Sequence, residues 1–250
     1  MRIVIIGSGN IATTLGKLIS RAGHTIVEVR GRNEADVKNL AGALGANAAG
    51  FGSPLPEHID IYIAALSDTA LYELPQLVKI DSGFIVHTAG SVSRRVLDEI
   101  SRDNGVLYPL QSLRKEMEQI PPVPILTDAS SPEKLELLNK FASGFSMMVH
   151  PADDETRAKL HVAAVLSSNF TNYLYAKAHE YCSSLGVPFE LLYPLIDETA
   201  NRIKTHEPEQ VMTGPAVRRD EVTINKHLEW LSEFPEIRKI YDFMSKMIMK

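Results

Sequence analysis

At 250 residues with 44% apolar side chains, the chain can bury one large core or two modest ones. Its 26 basic and 31 acidic side chains leave a net charge of −5 with no basic block, which argues against a nucleic-acid partner. The single Cys182 excludes an intramolecular disulfide and fits a reducing compartment. No apolar run approaches the roughly 20 residues of a membrane span, and the N-terminal one is too short for a signal peptide. A cytoplasmic protein with no membrane partner is expected.

The first 33 residues organise the rest. Arg2-Ile3-Val4-Ile5-Ile6 is an apolar, mostly β-branched run that reads as a buried strand. Gly7-Ser8-Gly9-Asn10-Ile11-Ala12 follows at once, then the helical spacing Ile11, Leu15, Leu18, Ile19, Ala22, then a second strand over 24–29. Strand, glycine turn, helix and strand form the first half of a dinucleotide-binding unit. Gly7 permits the sharp turn, Gly9 lets a diphosphate approach the backbone, and Ala12 lets the helix pack close on the sheet. The diphosphate would rest on free amides at the helix N-terminus. Glycine pairs also mark plain turns, but here the context is right on both sides.

The tip of the second strand selects the nucleotide. NAD-binding proteins place an acid there, whereas an Arg accommodates a 2′-phosphate. This chain reads Val29-Arg30-Gly31-Arg32-Asn33, with Glu28 too early to serve. Arg32 offers a bidentate fork and Asn33 a further donor, which predicts NADP(H). The competing reading is that Arg30 and Arg32 are solvated loop charges.

A helix over 34–44, a short strand over 47–49 and a buried strand over 59–66 follow, with Asp68 placed to cap the next helix. Further strands are expected over 83–86 and 105–108. In a doubly wound sheet, ligands bind outside the carboxyl ends of the strands. The tips Ser67–Asp68, His87–Ser91 and Tyr108–Ser112 should therefore line a cleft with Gly7–Ala12, and Ser67, His87 and Gly90 join the cofactor candidates. Beyond Pro121-Pro122-Val123-Pro124 come a strand over 125–127, a helix begun by Ser131-Pro132, and a last strand over 147–149. Strand–helix alternation stops at 152. The expected architecture is thus α/β: a mostly parallel, doubly wound Rossmann domain over 1–152, then an all-α domain over 153–250 for substrate and dimerisation.

The second half reads as helices over about 153–185, 189–204, 220–231 and a last one with Ile237, Ile240, Tyr241, Met244, Met247 and Ile248 at helical spacing. The stretch His161–Asn169 is apolar almost all round and should be buried between neighbours. His161 and Ser168 fall within about 40° of one another on it, with Asn169 about 80° from His161. One reading is internal hydrogen bonding. The other is a cleft-facing stripe in which His161 moves a proton. Asp220 and His227 border the buried face of the later helix, Asp220 also being placed as an N-cap. Arg218 and Arg219 suit an anionic substrate or plain solvent. No histidine has ligand spacing for a metal.

The tips His87–Ser91 and Tyr108–Ser112, the helix His161–Asn169 and the segment Thr213–His227 together resemble the Rossmann-like proteins with an uncharacterised C-terminal helical domain. That family is described as NADP oxidoreductases, sometimes as deazaflavin-dependent-like. It is similar in architecture to pyrroline-5-carboxylate reductase, ketopantoate reductase and 6-phosphogluconate dehydrogenase, whose helical domain closes over the nicotinamide and commonly supports homodimers. Two departures stand out. The hydroxyacid dehydrogenase branch carries a lysine four residues before the asparagine, where this chain has Val165; and Arg219 stands where a glycine is expected before Asp220.

The resemblance and the motifs together imply an NADP(H)-dependent oxidoreductase acting on a small polar, anionic substrate. His161 would handle the proton and Asn169 orient the substrate, with Asp220 and His227 in support. The absent lysine motivates the alternative, an NADP-binding sensor without catalysis.

Overall fold

A computed structural model describes Met1–Lys250. By its contacts the chain divides into two units, Met1–Asn169 and Phe170–Lys250. The first unit is built on eight strands: β1 (Arg2–Ile6), β2 (Thr25–Arg30), β3 (Asn47–Ala49), β4 (Ile61–Ala64), β5 (Phe84–His87), β6 (Asn104–Pro109), β7 (Ile125–Ala129) and β8 (Val149–Pro151). They lie in the order β3-β2-β1-β4-β5-β6-β7-β8. The first six are parallel, β7 runs antiparallel to β6, and β8 is parallel to β7.

Alternation explains why the central strands read as unbroken apolar runs. Ile3 and Ile5 of β1, with Ile61 and Ile63 of β4, enter one core cluster; Val4, Ile6, Tyr62 and Ala64 enter the other on the opposite face. A parallel sheet buried on both faces needs apolar residues on both. The first cluster is closed by α1 (Asn10–Arg21), α2 (Glu34–Leu44) and α4 (Pro132–Ser143), through Leu15, Ile19, Val37, Leu138 and Phe141. The second is closed by the short α3 (Asp68–Glu73) and by 3-10 turns at Leu74–Gln76 and Arg94–Leu97.

Local chemistry sets the ends. Asn33 caps α2 by accepting from the Asp36 amide at 3.2 Å, and Ser131 caps α4 by accepting from the Lys134 amide at 3.2 Å. At α3 the cap is Ser67, which accepts from the Ala70 amide, and Asp68 is the first helical residue instead. The shift costs nothing, since a carboxylate in the first turn still complements the dipole.

After β8 comes α5 (Asp154–Ala164), then a π-helical segment, Val165–Phe170, and α6 (Thr171–Ser184). A π segment inserts one extra residue into a helical turn and is found often at functional sites. Burial of this stretch within the chain does not occur: Val162 is 61% exposed and Leu166 58%.

In the second unit α6 is followed by a 3-10 turn (Phe189–Leu192), α7 (Tyr193–Arg202), a second 3-10 turn (Pro208–Val211), α8 (Glu221–Trp230) and α9 (Pro235–Ile248). The helix anticipated over 189–204 thus opens as a tighter turn before the α-helix begins at Tyr193, with Pro194 in its first turn. Lys177 bridges Glu180 (2.9 Å) and Glu236 (2.8 Å), tying α6 to α9, and these bonds raise its pKa. Arg219 has φ +54°, in the left-handed region. That is the position where glycine was expected, and the conformation supplies the reason.

Candidate active site

The opening glycine loop has the required geometry. Gly7 has φ +122°, and a Cβ there would stand 2.2 Å from the Ala65 carbonyl oxygen, so only glycine fits where the chain leaves β1. A Cβ on Gly9 would meet no atom within 4 Å. Gly9 is also the N-cap of α1 and, having no side chain, caps none of its first amides. Free amides, the positive end of a 12-residue helix and open space beside them fit a diphosphate. Asn10 braces this loop, its Oδ1 accepting from the Lys115 amide at 3.1 Å.

The carboxyl ends of β1, β4, β5 and β6 open on a cavity of about 710 Å³ within the first unit. Asn10 and Ile11 of the glycine loop form one wall, Leu66, Asp68 and Thr88–Gly90 a second, and Tyr108–Leu113 a third. The fourth is α5 and the π segment, with Leu160, His161, Val165, Ser167, Ser168 and Asn169. Sequence positions 10 and 161 are thereby brought to one space.

At its centre the Tyr108 hydroxyl lies 2.9 Å from His161 Nδ1, with the rings edge to face. Burial raises the Tyr108 pKa, and the Arg157 charge opposes that rise. Gly90 makes the approach possible: a Cβ there would lie 2.8 Å from Tyr108 Cζ and 2.9 Å from His161 Nδ1. One turn earlier on α5, Arg157 is buried; it donates to the Val92 carbonyl and to Asp154, both at 2.6 Å, while Asp154 accepts from the Arg94 amide at 3.0 Å. These bonds clamp α5 to the loop after β5. Tyr108 is the site residue that sequence reasoning left outside its candidate set; its place in the Tyr-Pro-Leu-Gln tip was the available signal.

The remaining candidates are placed variously. His87 is fully buried, so it faces the core and not a ligand; its Nδ1 accepts from the Ala89 amide at 3.2 Å and its Nε2 has no partner. Burial, helped by Arg157, pushes its pKa down to about 4, so it is neutral at pH 7. Ser67 and Asn33 spend their side-chain oxygens as helix caps. Arg32 is exposed and pairs with Glu73 at 3.2 Å, beside a cleft of about 310 Å³ lined by Gly31, Lys38, Ala49 and Ser53. Such an exposed pair contributes at most about 1 kcal/mol and yields readily to a phosphate. Arg30 is no solvated charge: it is 1% exposed, paired with Glu28 at 2.8 Å and bonded to the Ser53 and Pro54 carbonyls. A buried guanidinium needs that many acceptors.

Asp220 and His227 belong to the second unit. Asp220 caps α8 and accepts from the Thr223 amide (3.0 Å) and hydroxyl (2.7 Å), which hold its carboxyl below the usual range, the side-chain bond most. His227 Nδ1 lies 2.7 Å from the Tyr241 hydroxyl, and its ring packs near Trp230. It lines an apolar groove of about 790 Å³ with Tyr181, Trp230, Tyr241 and Met244.

A doubly wound sheet with a glycine cradle at its first tip and a histidine-lined cavity at the neighbouring tips defines a dinucleotide-dependent oxidoreductase. Residues 2–87 match the family model described as NADP oxidoreductase, coenzyme F420-dependent. Residues 123–248, just over half of the chain, match the model described as domain of unknown function (DUF2520). The chain belongs to this family, an NADP-dependent oxidoreductase Rossmann domain joined to a DUF2520 C-terminal domain.

Among solved structures, a "putative NADP oxidoreductase" from Bacteroides fragilis is 38% identical, with 99% of this chain and 97% of that one covered and a TM-score of 0.92. Two distant structures share the fold. A pyrroline-5-carboxylate reductase from Streptococcus pyogenes has 15% identity, 100% and 98% coverage and a TM-score of 0.67. An imine reductase from Myxococcus stipitatus, in complex with NADP+, has 18% identity, 99% and 93% coverage and a TM-score of 0.66. No curated protein matches the chain. No helix is long and apolar enough to cross a membrane.

Proposed function

We propose that the protein is an NADP(H)-dependent reductase or dehydrogenase of a small polar substrate, working in the cytoplasm as a homodimer. One observation carries this: a single cavity holds the glycine-loop residues Asn10 and Ile11 together with His161, Ser168 and Asn169. In this reading Gly7–Ala12 hold the diphosphate, Arg32 and Asn33 the 2′-phosphate, and Gly90 borders the nicotinamide end. Of the other cofactor candidates, Ser67 and His87 serve by shaping the tips of β4 and β5. When bound, NADPH supplies the hydride. His161 gives or takes the proton at the reacting oxygen or nitrogen, Asn169 orients that atom, and Asp220 and His227 support the helical half. We keep 1–152 as the nucleotide-binding part and 153–250 as the substrate and dimerisation part. The anionic character of the substrate depends on Arg218 and Arg219, since the cavity walls of the first unit carry no Arg or Lys.

The test is calorimetric titration with NADPH and NADH, followed by hydride transfer to a panel of oxo acids, imines and a deazaflavin. Tight NADPH binding is expected, with turnover of at least one panel member that falls about 10²–10⁴-fold in His161→Ala. No binding of either dinucleotide sinks the reading. A second reading, a sensor that binds NADP(H) without catalysis, is favoured by Val165 in the lysine position. Binding without turnover on the whole panel would select it.

A further inference from the structure

Tyr108 has no role in the function proposed above, and Gly90 only borders the nicotinamide end there, yet both control the histidine on which that function rests. The Tyr108 hydroxyl is half-buried and makes a single hydrogen bond, to His161 Nδ1 at 2.9 Å. A half-buried phenol whose one partner within the chain is an imidazole nitrogen keeps its proton and donates it to that partner. Burial raises the Tyr108 pKa, which favours the protonated form. Imidazole nitrogen is the better acceptor of the two, and a neutral imidazole carries one N–H only. If Nδ1 accepts, Nε2 must hold the hydrogen. His161 lines the cavity, and Nε2 makes no hydrogen bond within the chain.

Gly90 gives this pair its space. Any Cβ at position 90 would stand within 3 Å of both rings, tighter than van der Waals contact allows. The backbone clamp from Arg157 and Asp154 holds α5 against the same loop, so His161 cannot back away without breaking buried bonds. Three residues from three segments, 90, 108 and 161, therefore meet at one point.

We infer that Tyr108 is a positioning residue that fixes His161 as the Nε2–H tautomer, presenting a proton donor to the cavity, and that Gly90 is required for their contact. The site is then set to donate a hydrogen bond from Nε2 to an acceptor atom on the substrate, the polarity that polarises a carbonyl or imine for reduction. This rests on the reading of His161 as the proton-handling group, and it predicts which nitrogen does the work.

The experiment is a long-range proton–nitrogen spectrum of the full chain labelled with ¹⁵N-histidine, at a pH where the imidazoles are neutral, with His161→Asn identifying the His161 signals. The wild-type protein should show the Nε2–H tautomer in dominant excess, and Tyr108→Phe should cut that excess about fivefold, the equivalent of one ordinary hydrogen bond. A wild-type Nδ1–H tautomer, or an unchanged ratio in Tyr108→Phe, overturns the inference. Should Tyr108→Phe fail to fold, Gly90→Ala separates the rings with the hydroxyl retained and is read by the same criteria. NADPH titration of the same sample keeps the two claims apart: failure to bind defeats the functional reading and leaves the tautomer result standing.

Discussion

The two units of the chain solve the problem of burial differently. In the first, apolar side chains fill both faces of the sheet, and Ile3, Ile5, Ile6, Leu15, Ile19, Ile61 and Ile63 are essentially inaccessible. In the second, only Ala216, Ile224, Leu231 and Ser245 are buried, while Trp230 is 62% and Phe243 64% exposed. A polypeptide that leaves so much apolar surface uncovered has a surface made for contact. The contrast teaches that the first unit buries its own apolar core, whereas the second leaves apolar surface open, in our proposal to a second copy.

Four substitutions or conditions would break or sharpen that contrast. The largest effect belongs to Arg30→Ala, which strands the Glu28 charge and two carbonyls inside the first unit. A loss of about 4 kcal/mol is expected from urea unfolding, and a loss below 1 would show that the pair is dispensable.

Acid comes next. His87 is neutral when folded, with a pKa of about 4, against about 6.5 when unfolded. Between those values the unfolded chain binds a proton that the folded one refuses, so stability is full above about 6.5 and is lost as pH falls to about 4, by roughly 3 kcal/mol. His87→Asn keeps an acceptor for the Ala89 amide and should remove that part of the decline.

In the second unit, Trp230→Asp should convert the proposed dimer to monomer in light scattering, at a cost near 2 kcal/mol of association, while leaving NADPH binding by the first unit in place. The smallest effect is Arg32→Ala. It should weaken NADPH about tenfold and leave NADH unchanged, because only the 2′-phosphate loses a partner. Equal weakening of both would remove Arg32 from the phosphate site.

Sequence reading was most successful where local rules and tertiary packing agree. The strand Arg2–Ile6, the glycine loop, α2 at Glu34–Leu44 and the Ser131 cap of α4 each follow from patterns a few residues long. It failed where the deciding partner is distant in sequence. Nothing near Arg30 announces the Ser53 and Pro54 carbonyls that bury it. His87 sits at a strand end, where a one-residue alternation decides between cleft and core, and it falls in the core. An apolar stretch such as Val162–Leu166 states that it wants cover but not whose, and Val162 stays 61% exposed within this chain. The Tyr108–His161 contact spans 53 positions and is set by the sheet order, which no periodicity encodes.

The π segment Val165–Phe170 carries a last consequence. Ser167, Ser168 and Asn169 all border the cavity, although three consecutive residues of an ideal α-helix would fan out over about 200°. The wider turn narrows that fan, and all three border the cavity. Its effect depends on residue number and hardly on residue identity: deleting any one of the six would restore a regular α-helical turn and fan the remaining side chains out by about 100° each. When related chains are aligned, a gap in this stretch therefore signals a differently furnished pocket more surely than any exchange of side chains.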